Sequence, residues 1–188
     1  MPKVEVADIS QEKLDRINAI LKGIKNGSGA FHAIGAAMKR AAKAGEHEAA
    51  KYASETYNIT QGTFRGQCRI SFKMEGGHEG VAKIEVLFAG AVIPLIEFKG
   101  TAAGPHGVQV SPKMGGGNLR SAFLAEIYSK GIFERIGLKR FPVEQKYGPS
   151  TGHMMQDNEV SEKTTNKMIE TFDSRIEHEI SRILGGGF

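Results

Sequence analysis

Tryptophan is absent from this 188-residue chain, and cysteine occurs once, at Cys68. A lone cysteine excludes an intramolecular disulfide and any zinc or iron–sulfur site built from several thiolates. Long apolar runs are also lacking. The most apolar stretch, Val86 to Ile96, is eleven residues and is interrupted by Gly90 and Pro94, whereas a membrane helix needs about 20. Residues 1–8 contain no apolar core of a leader, so no signal peptide is expected and the chain reads as a soluble protein of a reducing compartment. No Gly-Lys dipeptide occurs, which excludes a Walker A loop, and no His-x-x-x-His pair occurs. The six histidines are scattered. No cofactor or metal site is expected.

Charge of one sign is scarce overall, with 25 basic against 21 acidic residues and a net charge of +4. That balance excludes a histone-like or arm-like basic excess. It conceals a polarity along the chain: residues 1–60 carry +2, residues 61–150 carry +5 and residues 151–188 carry −3. A basic middle and an acidic tail suit copies that meet head to tail. The 24 glycines are about twice the usual share of a globular chain, roughly 7%.

The pattern predicts one α+β domain over 1–188. It has N-terminal helices over 8–57, sheet and loops over 63–150, and a C-terminal helical segment over 153–184. The expected sheet is mainly antiparallel, with a long β-hairpin. Asp8 and Gln11 are spaced as a capping box, and Leu14, Ile17, Leu21 and Ile24 then share one helical face. Gly27-Ser28-Gly29 predicts a break, with Ser28 capping a second helix that runs to about Tyr57. Alanine is dense in that helix, which favours it and permits close approach of another element.

From Phe64 to Glu75 apolar and polar residues alternate strictly, predicting one strand with a buried and a wet face. Gly76-Gly77-His78 predicts the turn, and Ala82, Ile84, Val86 and Phe88 continue on the returning strand. Matching polarity across the hairpin predicts Phe72 opposite Ala82, Ile70 opposite Ile84, Cys68 opposite Val86, and Arg69 meeting Glu85 on the wet side. In this register Arg65, Arg69 and Lys73 all project from the wet face. They are the candidate charged interface or DNA-channel face.

Further on, Gly100–Pro105 and Pro112–Gly117 predict loops. Gly107–Val110 predicts a short strand, and Ala122–Tyr128 fits strand or helix equally. Gly131–Ile136 predicts a returning strand and Val143–Pro149 a loop. The tail from about Asp157 to Leu184 predicts a long helix, with Met168, Phe172, Ile176, Ile180 and Leu184 four apart on one stripe. Glu159 and Glu162 near its start and Arg182 near its end suit the helix dipole.

One catalytic pattern occurs. Gly148-Pro149-Ser150-Thr151-Gly152 fits Gly-x-Ser-x-Gly, with Asp157 or Asp173 and then His178 in hydrolase order. The residues before Ser150 do not read as a buried parallel strand, and Pro149 suits a turn better than a strained elbow. The expectation is a turn that launches the last helix, with no catalytic residue and no enzyme.

Several short segments stand in a telling order: Tyr57-Asn-Ile-Thr60, then Ile93-Pro-Leu-Ile-Glu-Phe98 after a hairpin. Ser121-Ala-Phe-Leu124, Gly131-Ile-Phe-Glu-Arg135, Phe141-Pro-Val143 and Tyr147-Gly-Pro-Ser150 follow, ahead of a long acidic amphipathic helix. Over about residues 15–184 this order resembles the phage minor tail protein Z family, the tail-completion proteins of long-tailed phages. The resemblance implies a structural virion protein that acts at the head-proximal end of the tail, after assembly in the host cytoplasm. It would help join tail to filled head around the DNA exit channel. Its implied partners are neighbouring copies in a ring and the head–tail connector and tail terminator proteins. Non-specific contact with DNA in the channel is compatible, and no membrane partner is expected. The alternatives are a small basic nucleic-acid-binding protein, resting on Arg65, Arg69 and Lys73, and a serine hydrolase at Ser150.

Overall fold

Two long helices form the largest packing contact of the fold. The computed structural model describes Asp15 and residues 27–75, 83–113, 116–127 and 129–184. The capping box at Asp8 and Gln11 and the stripe from Leu14 to Ile24 therefore lie outside the described residues. Helix α1 spans Gly27–Thr56, so Ser28 stands inside the helix and not at its cap. A glycine costs only about 1 kcal/mol in a helix, which extended packing outweighs. The last helix of the chain, Asn158–Leu184, packs along α1.

The two run antiparallel. Arg40 meets Glu179, Gly45 lies against Met168, and the Tyr52 ring faces Lys163. The reason is legible residue by residue. Ala37, Ala41, Ala49 and Ala53 are buried four apart or in multiples of four, with Gly45 filling the gap in the series. Val160, Met168, Phe172, Ile176 and Ile180 are buried from the other side. Small residues on one helix admit large ones from the other, ridge into groove. Thr164 sits fully buried in the same stripe because its hydroxyl donates to the Val160 carbonyl at 2.6 Å.

Thr60 next accepts a hydrogen bond from the Thr63 N–H and caps a short helix, α2, Gln61–Gln67. This corrects the expectation of a strand beginning at Phe64: the cap redirects those residues into a helix, and Phe64 is buried from it. Strand β1 is Arg69–Glu75 and β2 is Lys83–Ala89. Their register places Ile70 opposite Phe88, Phe72 opposite Val86 and Lys73 opposite Glu85. The expected register was displaced by four residues. An even slip leaves every side chain on the same face, so polarity matching alone does not separate the two. The predicted turn at 76–78 lies outside the described residues.

The rest is a set of small antiparallel sheets. Strand β3, Val92–Pro94, leads into a 3-10 turn, Leu95–Glu97. Strands β4, Ala102–Gly104, β5, Gly107–Val110, and β6, Gly117–Leu119, form one sheet. Strands β7, Ala122–Glu126, β8, Lys130–Arg135, and β9, Val143–Gln145, form another. Strand β10, Tyr147–Ser150, returns to pair with β3. The segments expected as loops at 100–105 and 143–149 thus contain β4, β9 and β10, and the loop at 112–117 ends in the first residue of β6. Ala122–Tyr128 resolves as strand because β8 pairs with it from Ala122↔Glu134 to Glu126↔Lys130. A four-residue helix α3, Thr151–Met154, precedes the long C-terminal helix, here α4. The α+β class and the antiparallel pairing stand as expected. No described helix is long and apolar enough to cross a membrane.

Candidate assembly surface

The segments singled out by their order converge in space. Tyr57 and Ile59 are buried. Between them Asn58 fastens two connections: its side-chain amide donates to the Ser111 carbonyl at 2.6 Å and its backbone carbonyl accepts from Lys99 N–H. Thr60 then caps α2. Lys113 pairs with Asp157 at 2.9 Å and lies over the Tyr57 ring, which ties the end of α1 to the start of α4. The hydrogen bond from Lys113 holds Asp157 below the usual carboxylate range, and burial raises the Tyr57 hydroxyl.

Ile93, Leu95 and Phe98 are buried beneath β10. A Cβ on Gly148 would stand 2.6 Å from the Phe98 ring, so the Gly-Pro-Ser segment needs its glycine for close approach. Lys146 N–H donates to the Ile132 carbonyl, joining the same unit to β8. Ser150 closes it. Ser150 is buried, and its hydroxyl accepts from His153 N–H at 3.1 Å as the N-cap of α3.

That role accounts for Ser150 without catalysis. Asp157 is engaged by Lys113, and His178 is exposed on α4. His178 lies about 30 Å along the helix from its first residue, at 1.5 Å per residue. The Ser-Asp-His order has no matching spatial group. Ser150→Ala is expected to cost about 1 kcal/mol, the usual loss for an N-cap, read from a urea titration. It should remove no hydrolysis of an ester substrate.

The expected basic stripe is broken. Arg65 lies in the last turn of α2, while Arg69 and Lys73 share a face of β1. All three are exposed. They do not project from a single strand, because the helix ends between Arg65 and Arg69. Arg69 stands opposite Ala89 and Lys73 opposite Glu85, so the carboxylate expected at Arg69 belongs to Lys73's register position.

Cys68 joins α2 to β1 as the helix's C-terminal cap, not as a strand residue facing Val86. Burial, with a smaller contribution from Glu46 and partly offset by a hydrogen bond from Thr151, pushes its thiol up from 9.0 to about 12. The unfolded chain therefore loses this proton first, and the contribution to stability falls as pH rises from about 9 to about 12. Alkaline urea titrations are expected to show a shallower decline in Cys68→Ala than in the parent. Labelling of the folded parent by a thiol reagent near neutral pH should be slow.

A different surface was missed by sequence reading. Between β8 and β9 the seven residues Ile136–Pro142 form a loop, closed at its base by Ile136 N–H donating to the Pro142 carbonyl. Leu138 is fully exposed, Ile136 is 67% exposed and Phe141 59%. Lys139 and Arg140 stand between them, and Arg140 lies over the Phe141 ring. Beside the loop runs an open groove lined by Arg120, Phe123, Leu124, Arg135 and Leu138. The Arg135 guanidinium stacks on Phe123 at 5.0 Å. Glu134 and Glu144 both pair with Lys146, at 2.8 and 3.2 Å. Among the described residues Arg120, Lys139 and Arg140 form no ion pair. The sequence signal was the run Ile136-Gly-Leu-Lys-Arg-Phe-Pro142, apolar and basic without periodicity.

Comparison of the chain with family models, with characterised proteins and with solved structures finds no match.

Proposed function

We propose that this chain is a structural protein of a long-tailed phage virion that completes the tail and joins it to the head at the neck, around the DNA exit channel. The observation that carries the reading is the convergence of the segments on which the resemblance to the minor tail protein Z family rests. Tyr57–Thr60, Ile93–Phe98, Gly131–Arg135 and Tyr147–Ser150 are far apart in sequence, yet they build one scaffold. That scaffold holds out a loop of exposed apolar and basic residues at Phe141-Pro-Val143 and the residues before it. Contiguous exposed apolar groups of this kind suit contact with another protein. The nucleic-acid-binding alternative rested on three basic side chains along one strand, and Arg65 stands outside that strand.

The test is a phage lacking the chain. Electron microscopy is expected to show filled heads and complete-length tails unjoined, and purified protein added to the lysate should restore joined particles. Joined, infectious particles in its absence would overturn the reading.

A further inference from the structure

The groove beside the Ile136–Pro142 loop carries exposed apolar side chains together with basic charge. Its lining is mixed, with more polar than apolar surface: Phe123, Leu124 and Leu138 are the large apolar side chains, and Arg120 and Arg135 give it charge of one sign. Lys139 and Arg140 extend that charge onto the loop. The base of the loop is fixed by the β8–β9 ladder, in which Arg135 pairs with Val143, and by the Ile136–Pro142 hydrogen bond. A partner would therefore meet a loop whose two ends are already held, which lowers the entropy lost in ordering the residues between them.

The complementary surface lies on the same chain. Along α4 the residues Glu159, Glu162, Asn166, Glu170, Asp173 and Glu177 recur at steps of three and four. This spacing puts them on one helical face, about 27 Å long at 1.5 Å per residue. Glu159, Glu162, Glu170 and Glu177 are exposed. The buried stripe through Met168, Phe172 and Ile176 points away from them, towards α1. Lys163 and Lys167 engage Glu159 and Glu170 from the flank, so the four exposed glutamates outnumber the two lysines and the face is acidic without counting Asp173. Half-buried Ile169 borders it and offers an apolar contact among the carboxylates.

We propose that the groove, with the Ile136–Pro142 loop as its outer wall, seats the acidic face of α4 from a second copy of the chain. Groove and helix face are different surfaces, so the contact is heterologous and each copy offers one of each. Such a contact closes into a ring if the rotation permits, and otherwise continues as a filament. The inference rests on the proposed neck function and names the neighbour and the register. An acidic amphipathic helix laid into this groove draws orientation from the arginines and affinity from covering the exposed Leu138.

The test is bifunctional thiol cross-linking of full-length chains in a Cys68→Ser background. One set carries Lys139→Cys and the other Glu170→Cys, with tags of different size. At near-millimolar concentration the mixture is expected to give the 139–170 product, in excess over either variant alone. Arg120→Glu with Arg140→Glu on the groove chain should cut the yield about tenfold or more. Glu162→Lys with Glu177→Lys on the helix chain should restore it. Equal yield of 139–139 product would overturn the heterologous contact, and so would no cross-linking at that concentration. Tail joining with the Arg120→Glu, Arg140→Glu chain then separates the failures. If chains with the groove charges intact do not cross-link, yet the Arg120→Glu, Arg140→Glu chain blocks joining, the groove seats a different neck protein and the functional reading stands. If heads and tails join without the chain at all, the functional reading itself fails.

Discussion

Phe98→Ala is expected to destabilise the fold by about 3–5 kcal/mol, the range for truncating a buried phenylalanine. For a chain of this length that corresponds to a fall of roughly 6–20 °C in Tm. Phe98 is 2% exposed, and its ring occupies the place where β3, the 3-10 turn and β10 meet. The effect should be coupled to Gly148. Alone, Gly148→Ala presses a methyl group into the ring and is expected to cost about 1–3 kcal/mol, as overpacking does. In the Phe98→Ala background the same methyl enters the vacated space, so the double variant should be more stable than the sum of the two predicts. Chemical denaturation of the four proteins measures this. Simple additivity would mean that the ring does not sit against Gly148.

Removing both arginines around Glu179 is the second large expected effect. The Glu179 carboxylate is 4% exposed, with Arg40 Nη1 at 2.7 Å from one oxygen and Arg182 Nη2 at 3.0 Å from the other. Arg40 makes a hydrogen bond. Arg182 is close but not aligned for one, so it acts by charge and Oε2 has no hydrogen-bond partner. Arg40→Met with Arg182→Met leaves a buried carboxylate without compensation, which is expected to cost about 3–5 kcal/mol. Adding Glu179→Met removes the stranded charge and should recover most of that loss, since a buried ion pair and an apolar replacement of similar volume are nearly equivalent. A double variant within about 1 kcal/mol of the parent, the usual limit for a surface pair, would show that Glu179 is hydrated.

Both effects arise from packing between segments distant in sequence. Local pattern and tertiary environment contributed differently to what was legible. The long helices were readable because each carries many repeats of one period. Met168, Phe172, Ile176 and Ile180 declare a buried stripe without knowledge of its partner. The dense alanines of α1 announced close approach, and Gly45 against Met168 is such an approach. Gly107–Val110 and the β8 strand were legible for the same reason, as local runs bounded by glycine or charge.

The failures share a different cause. Residues 64–67 alternate as a strand does, but the Thr60 cap directs them into a helix. A hydroxyl accepting one backbone N–H is a local event that hydrophobic alternation does not register. The hairpin slipped by four because an even displacement leaves the polarity pattern unchanged. Strands β9 and β10 are three and four residues long, too short for a period to show, and exist because β8 and β3 supply their hydrogen bonds.

By itself, then, the sequence determined the α+β class, the two principal helices and their buried faces, and the acidic character of the tail. These depend on periodicity and charge, which are properties of neighbouring residues. Only the tertiary structure decided that Ser150 is a cap and that Arg65 stands apart from Arg69 and Lys73. It also gathered Arg120, Arg135 and the Ile136–Pro142 loop into one surface. Those outcomes depend on which distant backbone groups satisfy one another, and no local pattern contains that information.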